Sequence, residues 1–223
     1  MIVGPENKED IMILAIGVGP GSPEYVTIRA KNEVASADIV AGFRPALEAV
    51  REYAKGKVIE IPSHSGEEEF LKYIAGKSGE KKCVFCFVGD PNFSASELLD
   101  KISVYDEVEI VPSISSVQIA ASKAKVAFED SIFISFHKGD PLDEIKQELL
   151  TRARENRNII LLPRPYDFMP EEIAGYLMQN GVSPDTEVNI YENLTLSNEK
   201  ESYMSLKEIM GKFSDLCVMV MER

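Results

Sequence analysis

Short apolar runs alternate with amphipathic segments along almost the whole chain. Residues 11–18, 38–41, 58–61, 83–88 and 108–111 are rich in Ile, Val and Phe and read as strands. Between them, residues 27–37, 45–54, 67–75 and 94–102 read as helices. In 67–75, Phe70, Leu71 and Ile74 fall on one face at three- and four-residue spacing. Pro45 sits in a first helical turn, where its missing N–H costs nothing. The second half repeats the alternation less strictly. Residues 132–136, 158–162, 187–191 and 216–221 read as strands, and 115–125, 142–155, 170–180 and 205–212 as helices. Gly181 stops the third of these helices, and Gly211 with Lys212 ends the last.

Strands alternating with helices place the chain in the α/β class. Nine strands are many for one sheet in 223 residues. The expected architecture is therefore two α/β domains, residues 1–112 and 113–223, meeting near Pro112 and Ser113. The charge-rich turns and hairpin-like end of the second half predict a mixed sheet there. A ligand cleft between the two domains follows from that arrangement.

Composition narrows the partners. A formal net charge of -13 argues against a nucleic-acid or anionic-membrane surface, which needs clustered Lys and Arg. No run approaches the ~20 apolar residues of a membrane span. Residues 1–10 are polar and acidic, unlike a secretory signal, and the three cysteines show no disulfide spacing. The expected compartment is the cytoplasm. Cys83 and Cys86 form a C-x-x-C, but inside an apolar strand, where residues three apart face opposite sides. No metal site is expected from them.

Three stretches could carry chemistry. Gly17, Val18, Gly19, Pro20 and Gly21 form a glycine-rich turn between a strand and a helix, where backbone can come close to a ligand. A dinucleotide fold would place an acidic residue at the end of the second strand. Asp38 stands at that strand's start and Gly42 at its end, and Pro20 and Pro23 stiffen the turn, so the dinucleotide reading fits poorly. The second stretch, Gly89-Asp90-Pro91, follows another apolar strand and precedes a helix, with Ser94 placed as its N-cap. The third, Ser113-Ile114-Ser115-Ser116, opens the helix at 115–125. Each taken alone also admits the reading of an ordinary turn or a capped helix.

In this order and spacing the three resemble the tetrapyrrole methylase family, with its GPG turn, its GDP loop and its serine-rich turn opening the second domain. Further matches are Ala37-Asp38-Ile39-Val40, Ser115-Ser116-Val117-Gln118, Glu129-Asp130, Ser135-Phe136-His137 and Tyr191-Glu192-Asn193-Leu194. They cover nearly the whole chain. The Ser-Ser-Val-Gln and Ser-x-His elements are similar to the branch that methylates C5 of precorrin-6Y or cobalt-precorrin-7 in cobalamin biosynthesis. Three family glycines are replaced, at Ser113, within Phe93-Ser94-Ala95, and at Thr195. Each replacement removes permitted backbone conformations from its loop.

The resemblance implies S-adenosyl-L-methionine as methyl donor, S-adenosyl-L-homocysteine as product and a tetrapyrrole as substrate. Carried over by position, Gly89, Asp90, Pro91 and Phe93 would hold the donor from the first domain. Ser115, Ser116, Leu162, Pro163, Asn193 and Leu194 would hold it from the second. Gly19, Pro20 and Gly21 would then shape the floor of the substrate trough. Arg29 and Arg44 are the foremost candidates to pair with substrate carboxylates, followed by Lys123, Lys125, Lys138 and Arg164. His137 is the candidate proton acceptor, or else a capped polar strand end; His64 reads as exposed. The resemblance further implies a homodimer. Some relatives are fused to a module that methylates C15 and removes a carboxylate; 223 residues leave no room for it. That activity is expected in a separate methyltransferase, a potential partner. The alternatives are another branch, such as diphthine synthase, and a non-catalytic binding module.

Overall fold

A computed structural model describes residues 13–61, 67–78, 80–93, 95–139, 141–155 and 157–222. His64, the Ser94 cap and the first two residues of the strand expected at 11–18 lie outside them. The first half runs β1 (Ile13–Gly17), α1 (Ile28–Ser36), β2 (Ile39–Gly42), α2 (Arg44–Val50), β3 (Lys57–Glu60), α3 (Glu67–Ser78), β4 (Cys83–Phe87), α4 (Ser96–Ser103) and β5 (Val108–Val111). The five strands pair in parallel in the order β3-β2-β4-β1-β5. A parallel sheet is covered on both faces, so β1 and β4 are apolar and buried throughout. Val84 and Cys86 pack with Val34 of α1 and Leu47 of α2, while Cys83 and Phe85 face Leu71 and Ile74 of α3. The two cysteines of the C-x-x-C thus belong to opposite faces.

The second half runs α5 (Ser116–Ala124), β6 (Ser131–Ser135), α6 (Asp143–Ala153), β7 (Asn158–Leu162), α7 (Pro170–Gln179), β8 (Glu187–Glu192), β9 (Lys200–Ser205) and β10 (Cys217–Met221). Its sheet is mixed, in the order β6-β7-β10-β8-β9. Only β6 and β7 pair in parallel; β10 runs against both β7 and β8, and β9 against β8. Leu149 of α6 and Ile173 and Leu177 of α7 cover one face. Val117, Ala120 and Ala121 of α5 cover the other.

The helix expected at 205–212 does not form. The chain before it forms β9, which the sequence reading missed, and the stretch itself holds a single 3-10 turn at Leu206–Glu208. Glu208 folds back to accept the Ser205 N–H at 2.8 Å, and Gly211 adopts a left-handed φ of 99°. The turn needs only Leu206 and Ile209 buried; Met210 is 76% exposed.

Among the described residues, three hydrogen bonds help to join the two halves near the carboxyl edge of the first sheet. Ser113 donates its N–H to Asp90 at 3.2 Å, Ser22 donates to Thr195 Oγ1 at 3.0 Å, and Gly139 donates to Glu97 at 2.5 Å.

Candidate functional site

Parallel strands deliver their following loops to one edge, and ligands of open α/β sheets bind outside that edge. Here the turn after β1 and the loop after β4 are bonded directly. Gly89 donates its N–H to the Gly19 carbonyl at 2.7 Å, in an isolated antiparallel bridge. Both glycines have left-handed backbones, φ 82° and 72°, which side chains resist. Gly17 has no room for a side chain: an added Cβ would lie 2.5 Å from the Gly89 carbonyl oxygen and 2.6 Å from Ser113 Cβ. Gly21 is pressed against the second half, 2.9 Å from Leu196 on the same measure. The GPG turn is therefore a junction between the domains as well as a bare edge.

Asp90 turns its carboxylate into the protein. One oxygen accepts from both the backbone and side-chain nitrogens of Asn92 at 2.8 Å, and the other takes the Ser113 N–H. This couples the GDP loop to the serine turn. Ser115 caps α5 and is buried, with Gln118 Oε1 accepting its N–H at 2.6 Å in a capping box. A Cβ added at Gly89 would meet Ser115 Oγ at 3.6 Å, an ordinary contact distance.

These loops meet one cavity of about 120 Å³. Pro20, Gly89 and Phe93 line it from the first domain. Ser115, Ser116, His137, Leu162 and Leu194 line it from the second. Phe93 also lines a second cavity of about 270 Å³ that reaches Ser135 and Lys138, and its ring meets Phe133 edge-on at 6.2 Å. The cavity wall also includes Asp215, Leu216, Cys217 and Val218, which sequence reasoning missed. Because β10 is antiparallel to β7 and β8, its beginning lies beside their ends.

His137 follows the wholly buried Phe136. Its ring lies close to the Pro163 backbone, just past β7. Burial lowers its pKa below the ordinary imidazole value, and the nearby Pro163 carbonyl opposes this in part. Pro91 is buried against the Gly17 backbone. Asn193 is turned away from the cavity lining: its Oδ1 accepts from Ser214 Oγ at 2.7 Å.

The basic residues are placed differently. Arg29 is paired with Glu109 across to β5 and lies 4.0 Å from Glu33. Arg44 pairs with Glu48 at 3.3 Å within α2. Lys123 pairs with Glu199 at 2.7 Å, and Arg164 holds Asp167 through two nitrogens. None of these four lines the cavity; Lys138 lines its neighbour. Lys125 has a left-handed φ of 58° at the end of α5. Among the described residues, no group of three or more His, Cys, Asp or Glu side chains could hold a metal ion. No described helix is long and apolar enough to cross a membrane.

Comparison with known proteins agrees with this layout. Residues 12–209 match the family model for tetrapyrrole (corrin/porphyrin) methylases. A Methanocaldococcus jannaschii protein, a probable cobalt-precorrin-7 C(5)-methyltransferase, is 38% identical over 95% of this chain and 98% of its own length. The crystal structure of a cobalamin biosynthesis precorrin-6Y methylase from Archaeoglobus fulgidus superposes with a TM-score of 0.73 at 25% identity, covering 96% of this chain and 98% of that one. The fold is shared by uroporphyrin-III C-methyl transferase from Thermus thermophilus complexed with S-adenyl homocysteine, with a TM-score of 0.72, 19% identity, and coverage of 95% and 97%.

Proposed function

This chain belongs to the tetrapyrrole methylase family, and we propose that it transfers a methyl group from S-adenosyl-L-methionine to C5 of a corrin precursor, precorrin-6Y or cobalt-precorrin-7, in cobalamin biosynthesis. The observation that carries this is the convergence of the GPG turn, the GDP loop and the serine cap of α5 on one cavity between two α/β domains.

The wall suits such a donor. It offers apolar surface from Phe93, Leu162 and Leu194 for a nucleoside. It also offers the amino end of α5, with two serine hydroxyls, for a carboxylate. Gly89 brings backbone close without a side chain in the way. The donor's methyl sits on a sulfonium and is electrophilic without help, so the protein's task is to align carbon, methyl and sulfur. Gly89, Phe93, Ser115, Ser116, Leu162 and Leu194 would hold the donor, with Asp90, Pro91, Pro163 and Asn193 shaping the loops around it. Pro20 is the residue of the GPG turn that reaches both the donor cavity and the substrate side. The substrate's carboxylates meet Arg29 or Arg44 only if those guanidiniums leave their present partners; Lys138 is nearer the cleft. The domain boundary lies at residues 112–113. The enzyme works as a homodimer in the cytoplasm, with C15 methylation and decarboxylation left to a separate protein.

The test is calorimetry with S-adenosyl-L-homocysteine, followed by methyl-transfer assays on metal-free and cobalt-loaded precursors. Binding and transfer to either corrinoid is the expected result. No binding at millimolar ligand would overturn the reading. Binding with transfer to a protein but not to a corrinoid would favour the diphthine synthase branch.

A further inference from the structure

Methylation at C5 differs chemically from methylation at a fully substituted pyrrole carbon. C5 bridges two pyrrole-derived rings and carries a hydrogen. When its π electrons attack the methyl carbon, the C–S bond pair leaves with sulfur and C5 becomes tetrahedral, bearing both hydrogen and methyl. Conjugation returns only when the C5–H bond pair goes back into the ring and the proton departs. A ring carbon without hydrogen needs no such step. A C5 enzyme therefore profits from a base beside the reacting carbon.

The described cavity lining holds three titratable side chains: His137, Asp215 and Cys217. Cys217 is buried, and burial, with Glu192 and Asp215 nearby, pushes its thiol up to about 12, so it is no thiolate near neutrality. Asp215 is exposed at the rim, where water competes for it. His137 stands past the end of β6, in the cavity wall beside Leu162 at the end of β7. A neutral imidazole has one donor nitrogen and one acceptor. Burial keeps the ring neutral and ready to accept.

Resting on the C5 reading, we infer that His137 accepts the C5 proton after methyl transfer, through its unprotonated ring nitrogen. The nearby Pro163 carbonyl favours the imidazolium that forms. Proline has no N–H of its own, so at this position the backbone can only accept. Among the described residues, the charged groups nearby include Lys138 on the same loop, Glu97 of α4, which accepts the Gly139 N–H, Arg164 with Asp167 on the next loop, and Asp215 on the β10 side.

His137→Ala tests this on a wild type first shown to bind S-adenosyl-L-homocysteine and to methylate a corrinoid. The expected loss in kcat is roughly 10²- to 10⁴-fold, the usual worth of a general base. Product affinity should fall far less than kcat, since the rest of the cavity wall stays in place. Added imidazole should restore part of kcat, and substrate deuterated at C5 should show a larger isotope effect in the variant. NMR titration of the wild type, which has two histidines, should show His137 titrating below an ordinary imidazole and a falling activity limb at the same low pH. Unchanged kcat, or a loss that imidazole does not restore and that tracks lost product affinity, would overturn the inference. A wild type that neither binds the product nor methylates a corrinoid overturns the C5 reading, and this inference with it.

Discussion

Asp90 and Ser113 are joined across the domain junction: the carboxylate of one accepts the backbone N–H of the other at 3.2 Å. The same carboxylate ties down Asn92 through two further bonds. The acid of the GDP loop thus acts by shaping two neighbouring loops, whatever else it touches when a ligand is present.

Asp90→Ala removes all three bonds. The expected cost in stability is about 1–3 kcal/mol, the range for stranding hydrogen-bonding groups. S-adenosyl-L-homocysteine affinity should fall about tenfold, which is ~1.4 kcal/mol. Urea denaturation and calorimetry check both. A variant that melts early but binds like the wild type would show that this cross-link does not shape the cleft.

Glycines at the junction and glycines in helices should respond oppositely. Gly17→Ala forces a methyl to 2.5 Å from the Gly89 oxygen, within a bridge that has no slack. A loss of about 2–3 kcal/mol is expected from such overpacking. Gly76 in α3 and Gly175 in α7 have nothing within 4 Å of an added Cβ. Alanine there should stabilise by about 0.5–1 kcal/mol. Denaturant midpoints for the three variants decide it.

Thr195 replaces a family glycine and keeps a glycine-like φ of 69°. In exchange its hydroxyl receives the Ser22 N–H at 3.0 Å, next to the GPG turn. Thr195→Val keeps the backbone cost and loses the bond, so it should destabilise by about 1 kcal/mol. Thr195→Gly loses the bond but relieves the backbone, and should fall within about 0.5 kcal/mol of the wild type. Thermal melts that rank glycine below valine would refute this trade.

The three cysteines should be silent toward thiol reagents in the native protein at pH 8. Burial raises Cys83 to about 11, and both Cys86 and Cys217 to about 12. Labelling with a chromogenic disulfide should proceed only at the unfolding rate. The same shifts carry a pH signature. Thiols with raised native values add stability that is complete below the unfolded value near 9 and is lost as pH climbs towards 12. Fast labelling of one thiol in the native state would refute its burial.

Much of the fold was legible because apolar runs mark buried strands without ambiguity. Residues 158–162, read as a strand from Asn158, Ile159, Ile160, Leu161 and Leu162, are β7 to the residue. β9 was not legible: Lys200, Glu201 and Tyr203 are exposed on an edge strand, so its apolar alternation is faint. Leu206 and Ile209 then imitated a helical face that a single turn suffices to bury. At the site, the glycines and serines announced themselves through backbone demands and capping chemistry. The wall from Asp215 to Val218 did not, because its place depends on β10 running antiparallel. Nor did the sequence reveal that Arg29 would be engaged by Glu109, eighty residues away.

The Gly19–Gly89 bridge means that much of the cleft is drawn by main chain. Alanine scanning leaves main-chain donors and acceptors where they are and would pass over this part of the wall. Substitutions that add bulk or restrict φ at Gly17, Gly19 and Gly89 are the informative ones. A binding surface of this kind holds its outline while the side chains around it drift.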